Sequence, residues 1–469
     1  MGQLAEAKNE QTVSPVTVGK FGLRDKIGYM FGDFGNDFFF ALTSMYLMVY
    51  YTDVLHIGGA AVGVLFLVAR LWDAVADVTW GRFIDSRKPG KYGQFKPWIL
   101  RMSFPLVLSG ILMFVKIPGM SDGFHMAWAF ATYIVWGTLY STVNIPYGAM
   151  ASVITNDSVE RTSLSTWRSL GGNLSYLIVG SAAPLILFVD NKADGNRFLI
   201  GAIIFAILSL SSYIACYKLS TERILASNDQ KEKLDFRKTV KGLIKNKPLL
   251  VLLLSALLLL VVSMLQGAVT TYLIKDYFGS AKSLSLVYTL QMVAALAVIP
   301  MITPLAKRVG KKEISGISMV ISGAIFAVMY FMPNMSLTTY IILSSVAYFA
   351  LCFFSTAIWA FVTDCIDYQE YLTGTREDGT VYSIYSFFRK VGQAIAGGIG
   401  GFALAAVGYN ASLGAQTEDT LNGIFALNTL WLGIGFLVVG LIIMFLYPLN
   451  KKRTDQLTID LAKRRIETK

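Results

Sequence analysis

The sequence predicts an all-α membrane protein with twelve transmembrane helices in two six-helix bundles. Its 469 residues are 54% hydrophobic and only 15% charged, and their mean hydropathy of +0.55 lies far above that of soluble chains. Apolar stretches of about 20 residues, the length that crosses a hydrocarbon core of about 30 Å, recur from end to end. The longest polar break divides these stretches six and six.

The twelve expected spans are too long and too continuously apolar to be strands of a barrel, so we expect helices. They cover residues 27–52, 57–81, 98–117, 126–150, 169–189, 197–217, 248–274, 284–306, 314–332, 337–362, 381–408 and 422–447.

Lysine and arginine are shared unequally between the polar segments that join the spans. Segments on the side of the N-terminus hold 32 of the 41 basic residues, whereas the opposite loops hold 5. By the positive-inside rule, both termini lie in the cytoplasm of a cell whose membrane the chain crosses. The net charge of +11 therefore reflects topology, and we expect no nucleic-acid partner.

Five segments follow from this division. They are a cytoplasmic N-terminal tail (1–25) that lacks the apolar core of a cleavable signal, an N-terminal bundle (26–217), a basic middle loop (218–247), a C-terminal bundle (248–447) and a cytoplasmic tail (448–469). This layout is typical of a transporter that holds its substrate between two bundles.

Other function classes find little support in the sequence. No G-x-x-x-x-G-K-[ST] motif is present, which disfavours an ATP-driven pump. His56 and His125 are the only histidines, and the three cysteines show no metal-ligand spacing. We therefore expect neither an enzyme nor a bound cofactor.

The second span carries charge inside the bilayer, in the stretch RLWDAVADVTWG at 70–81. Asp73, Asp77 and Arg70 share one helix face, and each buried charge costs about 2.5 to 3.5 kcal/mol on insertion scales. One interpretation is a structural salt bridge between Arg70 and Asp73. The other is a site for one monovalent cation, because one arginine leaves a charge of about −1. The residues do not choose between Na⁺ and a proton.

Polar and aromatic residues also interrupt spans 1 and 4. The first carries Asp33 and Asp37, four residues apart. The fourth carries Trp136, Tyr140, Ser141 and Asn144. Aromatic rings beside amides and hydroxyls suit a polyhydroxylated ligand, although packing or an interfacial aromatic belt explains Trp136 by itself equally well.

Several motifs together resemble the glycoside-pentoside-hexuronide:cation symporters of bacteria. These motifs are YYTDV (50–54), LFLVARLWDAVADVTWG (65–81), GKYGQFKPW (90–98), VNIPYGAM (143–150) and DYQEYLTGTREDGTVYSIYSFFRKVGQAIAGG (367–398). They occur in both halves of the chain. The resemblance implies a major-facilitator-type fold and cation-coupled sugar symport, with a sugar and a monovalent cation as ligands and membrane lipid around it.

The resemblance also assigns site residues. The cation-binding residues are Asp73, Asp77, Ser141 and Asn36, of which the two aspartates are metal ligands only if the coupling ion is Na⁺. The sugar-binding residues are Asp37, Trp136, Tyr140, Asn144, Arg168, Trp359, Tyr385 and Lys390. VNIPYG and EYLTGTREDG look closer to glucuronide and xyloside carriers than to the melibiose carrier, which has an acid at the position of Asn144.

The function expected is symport of a glycoside or oligosaccharide with Na⁺ or H⁺ by alternating access. The main alternative is a lipid or lysolipid carrier on the same scaffold, and a channel is a third. The basic loop at 81–98 and the acidic segment at 364–378 resemble gating loops of major facilitators. We expect them to form ion pairs across the cytoplasmic face.

Overall fold

A computed structural model describes residues 20–85, 93–155, 157–223, 245–332, 334–374, 378–413 and 415–467. In these ranges the chain is helical almost throughout, with one short hairpin of Phe188–Val189 and Lys192–Ala193. Most of the middle loop and of the N-terminal tail lies outside the described residues, so the five segment boundaries stay predictions.

Twelve long helices in the described ranges follow the order of the predicted spans. They are α1 (Leu23–Leu42, continued by the π-helical turns Thr43–Leu47 and Tyr50–Val54), α2 (Gly59–Asp85), α3 (Lys96–Leu112), α4 (Asp122–Ile154), α5 (Ser158–Leu187), α6 (Gly195–Leu219), α7 (Lys247–Tyr277), α8 (Leu284–Arg308), α9 (Lys311–Tyr330), α10 (Leu337–Thr373), α11 (Asp378–Gly397) and α12 (Glu418–Leu446). A short helix, Ile399–Ala406, continues α11, and α13 (Lys451–Glu467) follows α12.

Eight helices in the described ranges are long and apolar enough to cross a membrane by themselves. The other four have physical reasons for a weaker signal: α3 has only 17 residues, α1 and α11 carry charges, and α4 is rich in tyrosine, tryptophan and glycine. A polar side chain in a span is tolerated where neighbouring helices cover it. The predicted helical membrane protein is therefore confirmed.

Side-chain caps set where several helices begin. Ser121, Asp194, Asn246, Ser336 and Thr417 each precede a helix and accept a hydrogen bond from the backbone N–H three residues later, which satisfies a donor left free by the first turn. At the other end, α10 stops at Gly374, whose φ of 74° favours glycine.

Two helices extend by about three turns beyond their expected spans, and one helix was not predicted. Helix α5 begins at residue 158 and α10 ends at residue 373, about 11 residues beyond the expected spans at 169 and 362. The added turns are polar, so hydropathy does not mark them although they remain helical. The same reason hides α13, which is strongly polar.

Packing is densest within each half of the chain. In the first half α1 packs on α5 and α6, α2 on α4, and α3 on α4 and α6; in the second, α9 packs on α10 and α12, α8 on α10, and α7 on α11. The halves meet where α5 contacts α8 and where α2 contacts α11 and the short helix after it. At the second contact Gly59 and Gly63 lie against Gly398 and Gly401, and a Cβ at Gly63 would stand 2.8 Å from the Gly398 carbonyl oxygen.

Candidate functional site

A cavity of about 460 Å³ lies between the two halves, a size typical of small-molecule sites. Arg70 is the one charged residue among the described residues that line it. The first half contributes mainly aromatic rings, including Phe40, Tyr133 and Tyr176, and the second half contributes three glutamines, Gln266, Gln291 and Gln393, with Tyr288. The wall therefore combines ring faces with neutral hydrogen-bonding groups.

The two aspartates of α2 face α4 in matching register. Ser141 donates a hydrogen bond of 2.6 Å to Asp77. One turn earlier on α4, Gly137 has no side chain, and a Cβ there would collide with Asp73 Oδ1. Arg70 Nη1 lies 3.4 Å from Asp73 Oδ2. The structure thus brings together three of the four predicted cation-binding residues, and it also contains the salt bridge of the alternative interpretation.

Asn36, the fourth predicted cation-binding residue, has its described hydrogen bonds elsewhere. Its side-chain oxygen accepts a bond of 2.7 Å from Tyr213, and its amide donates to Asn144 at 3.5 Å. Asn36 is buried on the face of α1 that packs on α6, because 36 and 37 point in different directions on a helix. In the described residues no group of three or more His, Cys, Asp or Glu forms a metal site.

A second charged group joins α1 to α5. Arg168 Nε donates to Asp33 Oδ1 at 3.1 Å, and its guanidinium also lies 5.1 Å above the ring of Tyr147. One turn further along α5, a Cβ at Gly172 would stand 2.5 Å from Asp37 Oδ2 and 3.1 Å from Asp33 Oδ2. Both carboxylates therefore point at α5, and the three charges leave about −1.

Aromatic rings on α4 form a row behind the cavity wall. Tyr133 and Trp136 stack at 5.8 Å, Trp136 and Tyr140 lie 5.4 Å apart, and Tyr140 contacts Phe40 at 5.7 Å. Trp136 is only 2% exposed, so its ring packs between neighbours, while Tyr133 and Phe40 line the cavity. The sequence reasoning missed these two, although Tyr133 lies one turn before Trp136.

In the second half, Trp359 and Tyr385 meet edge to face at 5.3 Å. Trp359 is half-exposed and Tyr385 is buried. The side chain of Lys390 lies outside the described residues. The assignments of these residues to the sugar site remain predictions.

None of the described residues predicted to bind sugar lines the 460 Å³ cavity. Several helices carry both a predicted sugar-binding residue and a residue that lines the cavity. On each of these helices, the predicted residue lies nearer to the face where the described chain begins and ends. Asp37 precedes Phe40 by three residues, or about 4.5 Å, and Trp359 follows Ser355 by four, or about 6 Å. These predicted residues, together with Asp33 and the two aspartates of α2, form a polar layer beside the cavity.

The opposite end of the cavity is closed by an α1–α7 cluster of Asp53, Lys275, Asp276 and Tyr409. Lys275 Nζ lies 2.5 Å from Asp53 and 2.9 Å from Asp276, and Tyr409 donates to Asp53 at 2.9 Å. Burial and the neighbouring carboxylates raise the pKa of Tyr409, so its hydroxyl stays protonated and donates. The side chains of Lys275, Asp53 and Asp276 are 7, 11 and 18% exposed. The bonds to Asp53 join the two halves.

At the face of the termini, the expected ion pairs between halves take a different form. Asp364 pairs with Lys311 at 2.5 Å, and both belong to the second half. Arg376, Glu377 and residues 86–92 of the basic loop lie outside the described residues. The described part of this face therefore shows an intra-half pair because the α8–α9 turn lies directly beneath α10.

Comparison with known proteins identifies the family. A model of MFS/sugar transport proteins matches residues 28–451. The chain belongs to this family. It is 35% identical over 454 residues to the "Uncharacterized symporter YjmB" of Bacillus subtilis, covering 96% of this chain and 98% of that protein. It is 30% identical to the "Glucuronide carrier protein homolog" of Escherichia coli (94% and 96% covered) and 31% identical to the "Isoprimeverose transporter" of Lactiplantibacillus pentosus (91% and 89%).

The fold is also that of a solved bacterial homologue of the lysosomal transporter Spinster in an inward-facing conformation. The TM-score is 0.66 at 13% identity, with 92% of this chain and 98% of that one covered. This protein is thus a multi-pass membrane transporter of the major-facilitator type and not an enzyme. The resemblance to glycoside-pentoside-hexuronide:cation symporters is confirmed.

Proposed function

We propose that this family member is a secondary active transporter that couples the uptake of a glycoside or oligosaccharide, of the glucuronide or xyloside type, to Na⁺ or H⁺. The observation that carries the proposal is the cavity between the halves, whose wall joins aromatic rings to neutral hydrogen-bonding groups. Sugar C–H faces pack on aromatic rings, and hydroxyls bond to amides and hydroxyls. Relatives described as a glucuronide carrier homologue and an isoprimeverose transporter support this substrate class.

The substrate is positioned by both halves. Phe40 and Tyr133 offer ring faces on one side, and Gln266, Gln291 and Gln393 offer amide donors and acceptors on the other. Arg70 gives the wall a single positive charge, which suits a hydroxyl or one carboxylate of the sugar. A ligand that bridges the halves favours the conformation in which both walls are close.

Cation coupling rests on Asp73 and Asp77. With Arg70 these groups carry a charge of about −1, which one monovalent cation neutralises. Ser141 supplies an oxygen next to Asp77. Because Gly137 has no side chain, the carboxylate of Asp73 can lie directly against α4. Because Arg70 both lines the sugar cavity and contacts Asp73, a cation bound at the aspartates changes the electrostatic environment of the sugar.

Alternating access requires that each end of the cavity open in turn. The α1–α7 cluster holds the halves together at one end, while the polar layer lies toward the other. With both termini in the cytoplasm of the cell, as the distribution of lysine and arginine indicates, the closed end is the outer one.

Reconstitution into proteoliposomes tests the proposal. Uptake of a labelled sugar panel is measured with a Na⁺ gradient and a pH gradient imposed separately, and Asp77→Asn serves as the uncoupled variant. We expect uphill accumulation of a glycoside with one gradient and only downhill exchange in Asp77→Asn. Displacement of bound ligand by lysolipids but by no sugar would assign the cavity to a lipid carrier instead, and gradient-independent, non-saturable flux would indicate a channel.

A further inference from the structure

A second cavity, of about 610 Å³, lies at the face of the termini, away from the central pathway residues. It is bounded by the last turn of α8, the α8–α9 turn, α10 and the start of α13. Its polar lining residues are Lys307, Lys311, Lys312, Lys451, Asp364, Asp455, Thr303, Thr356 and Thr454. We name it the lysine cavity.

The four lysines of the lysine cavity are not equally engaged. Lys311 is paired with Asp364 at 2.5 Å, and Lys451 donates to the backbone carbonyl of Arg308 at 2.9 Å. Among the described residues, Lys307 and Lys312 have neither an ion pair nor a hydrogen bond with a protein group. Two of the lysines that line the cavity thus remain for a ligand.

The surrounding charge also favours an anion. Four lysines line the cavity, against which stand the two lining carboxylates of Asp364 and Asp455. Glu313 is turned toward the backbone of Gly310, where a Cβ would collide with its carboxylate, and it does not line the cavity. The lining residues therefore carry a net charge of about +2, and three of the four lysines lie between residues 307 and 312.

The rest of the wall is apolar. Ile302, Ala306, Ala360, Phe361 and Leu449 form it, and the preceding turns of α8 present exposed apolar side chains such as those of Ile299 and Leu296. Because candidate membrane spans end at Arg308 and begin at Lys311, the lysines lie at the level where hydrocarbon meets headgroups. A ligand with a phosphate and an acyl chain matches both parts of the wall.

We propose that the lysine cavity binds the phosphate of an anionic phospholipid, with Lys307 and Lys312 as its cationic contacts. The positive-inside rule explains why lysines occur on this face, but it does not require four of them to converge on one cavity with an apolar wall. Basic pockets between transmembrane helices are typical headgroup sites. With these two contacts, the bound phosphate joins the end of α8 at Lys307 to the start of α9 at Lys312.

Lipid retention by the purified full-length protein tests this site. The protein is delipidated in detergent and titrated with phosphatidylglycerol or with phosphatidylcholine, and bound lipid is counted by native mass spectrometry. Each lysine beside an anionic headgroup contributes about a fivefold gain in affinity. Lys307→Gln combined with Lys312→Gln should therefore weaken phosphatidylglycerol binding by about 30-fold and leave phosphatidylcholine binding unchanged.

The matched control is Lys452→Gln combined with Lys463→Gln, which removes the same charge from the same face but alters no lining residue. It should bind phosphatidylglycerol like the parent protein, and Lys307→Arg combined with Lys312→Arg should do so too. Equal loss in the control and the cavity variant would overturn the proposal, because binding would then follow net charge alone. Displacement of phosphatidylglycerol by millimolar inorganic phosphate would overturn the lipid assignment and identify a site for a free phosphate compound.

Discussion

We expect Lys275, at the centre of the α1–α7 cluster, to determine how firmly the cavity is closed at the end where this cluster lies. It contacts Asp53 of the first half and Asp276 of the second, and it is almost fully buried. Lys275→Met leaves two carboxylates facing each other in the closed state. Breaking a buried ion pair costs about 3 to 5 kcal/mol, and this cost falls on the closed state, because opening separates and hydrates Asp53.

A penalty of about 3 kcal/mol moves the equilibrium toward outward opening by more than a hundredfold. Asp53→Asn is the informative comparison, since it keeps the Lys275–Asp276 pair intact and removes only the charge contact between the halves. A hydrogen bond to a charged group is worth about 1.5 to 3 kcal/mol, so its effect should be smaller than that of Lys275→Met. The geometry therefore predicts that Lys275→Met shifts the equilibrium toward opening more than Asp53→Asn does.

The assay is alkylation of a cysteine placed at Ser44, which lines the central cavity, by a membrane-impermeant thiol reagent added outside cells. The natural cysteines are buried. Labelling should be slow in the parent, faster in Asp53→Asn and fastest in Lys275→Met. The control is Lys282→Met, which alters an exposed lysine in the turn that follows α7. An unchanged labelling rate in a folded Lys275→Met protein would refute the role of the cluster as a closure between halves.

Three further predictions concern the polar layer. Gly137→Ala should displace Asp73 and reduce cation stimulation of sugar binding at least tenfold. The control is Gly148→Ala on the same helix, which should not reduce it, because the added Cβ would meet nothing closer than 3.9 Å. Asp77→Asn should abolish the effect of bound sugar on cation affinity, a coupling that is typically about 1 to 3 kcal/mol. Isothermal titration calorimetry measures this coupling, and its persistence in the variant would exclude Asp77 from the cation site. Asp37→Ala should lower sugar affinity at least tenfold in equilibrium binding, and normal affinity would remove Asp37 from the sugar site.

The helical architecture was predictable because crossing a bilayer imposes one length and one hydropathy on every span. The carboxylates of α2 were conspicuous in the sequence for a related reason: a charge in a span is costly, so its presence predicts a functional site. Neutral groups carry no such signal. Gln266, Gln291 and Gln393 are unremarkable in the sequence, and only the fold shows that helices from distant parts of the chain bring them to one wall.

Contacts between residues on different helices could not be predicted from the sequence either. The pairing of Arg168 with Asp33 joins residues 135 positions apart, and the importance of Gly137 and Gly172 depends on which carboxylate each one faces. Spacing along the chain gives the face of a helix but not the helix opposite it. For that reason the sequence could not show that the side chain of Asn36 bonds Tyr213 and Asn144.

The contact of Gly59 and Gly63 with Gly398 and Gly401 has a mechanical consequence. Backbone lies directly on backbone there, and the ring of Phe402 lies close to Gly63 and Gly398. Because glycines contribute no side chains to this contact, one half can tilt against the other with little repacking. The work of switching is then set by the bonds that lock the ends of the pathway, and ligands that act on those locks control the whole movement.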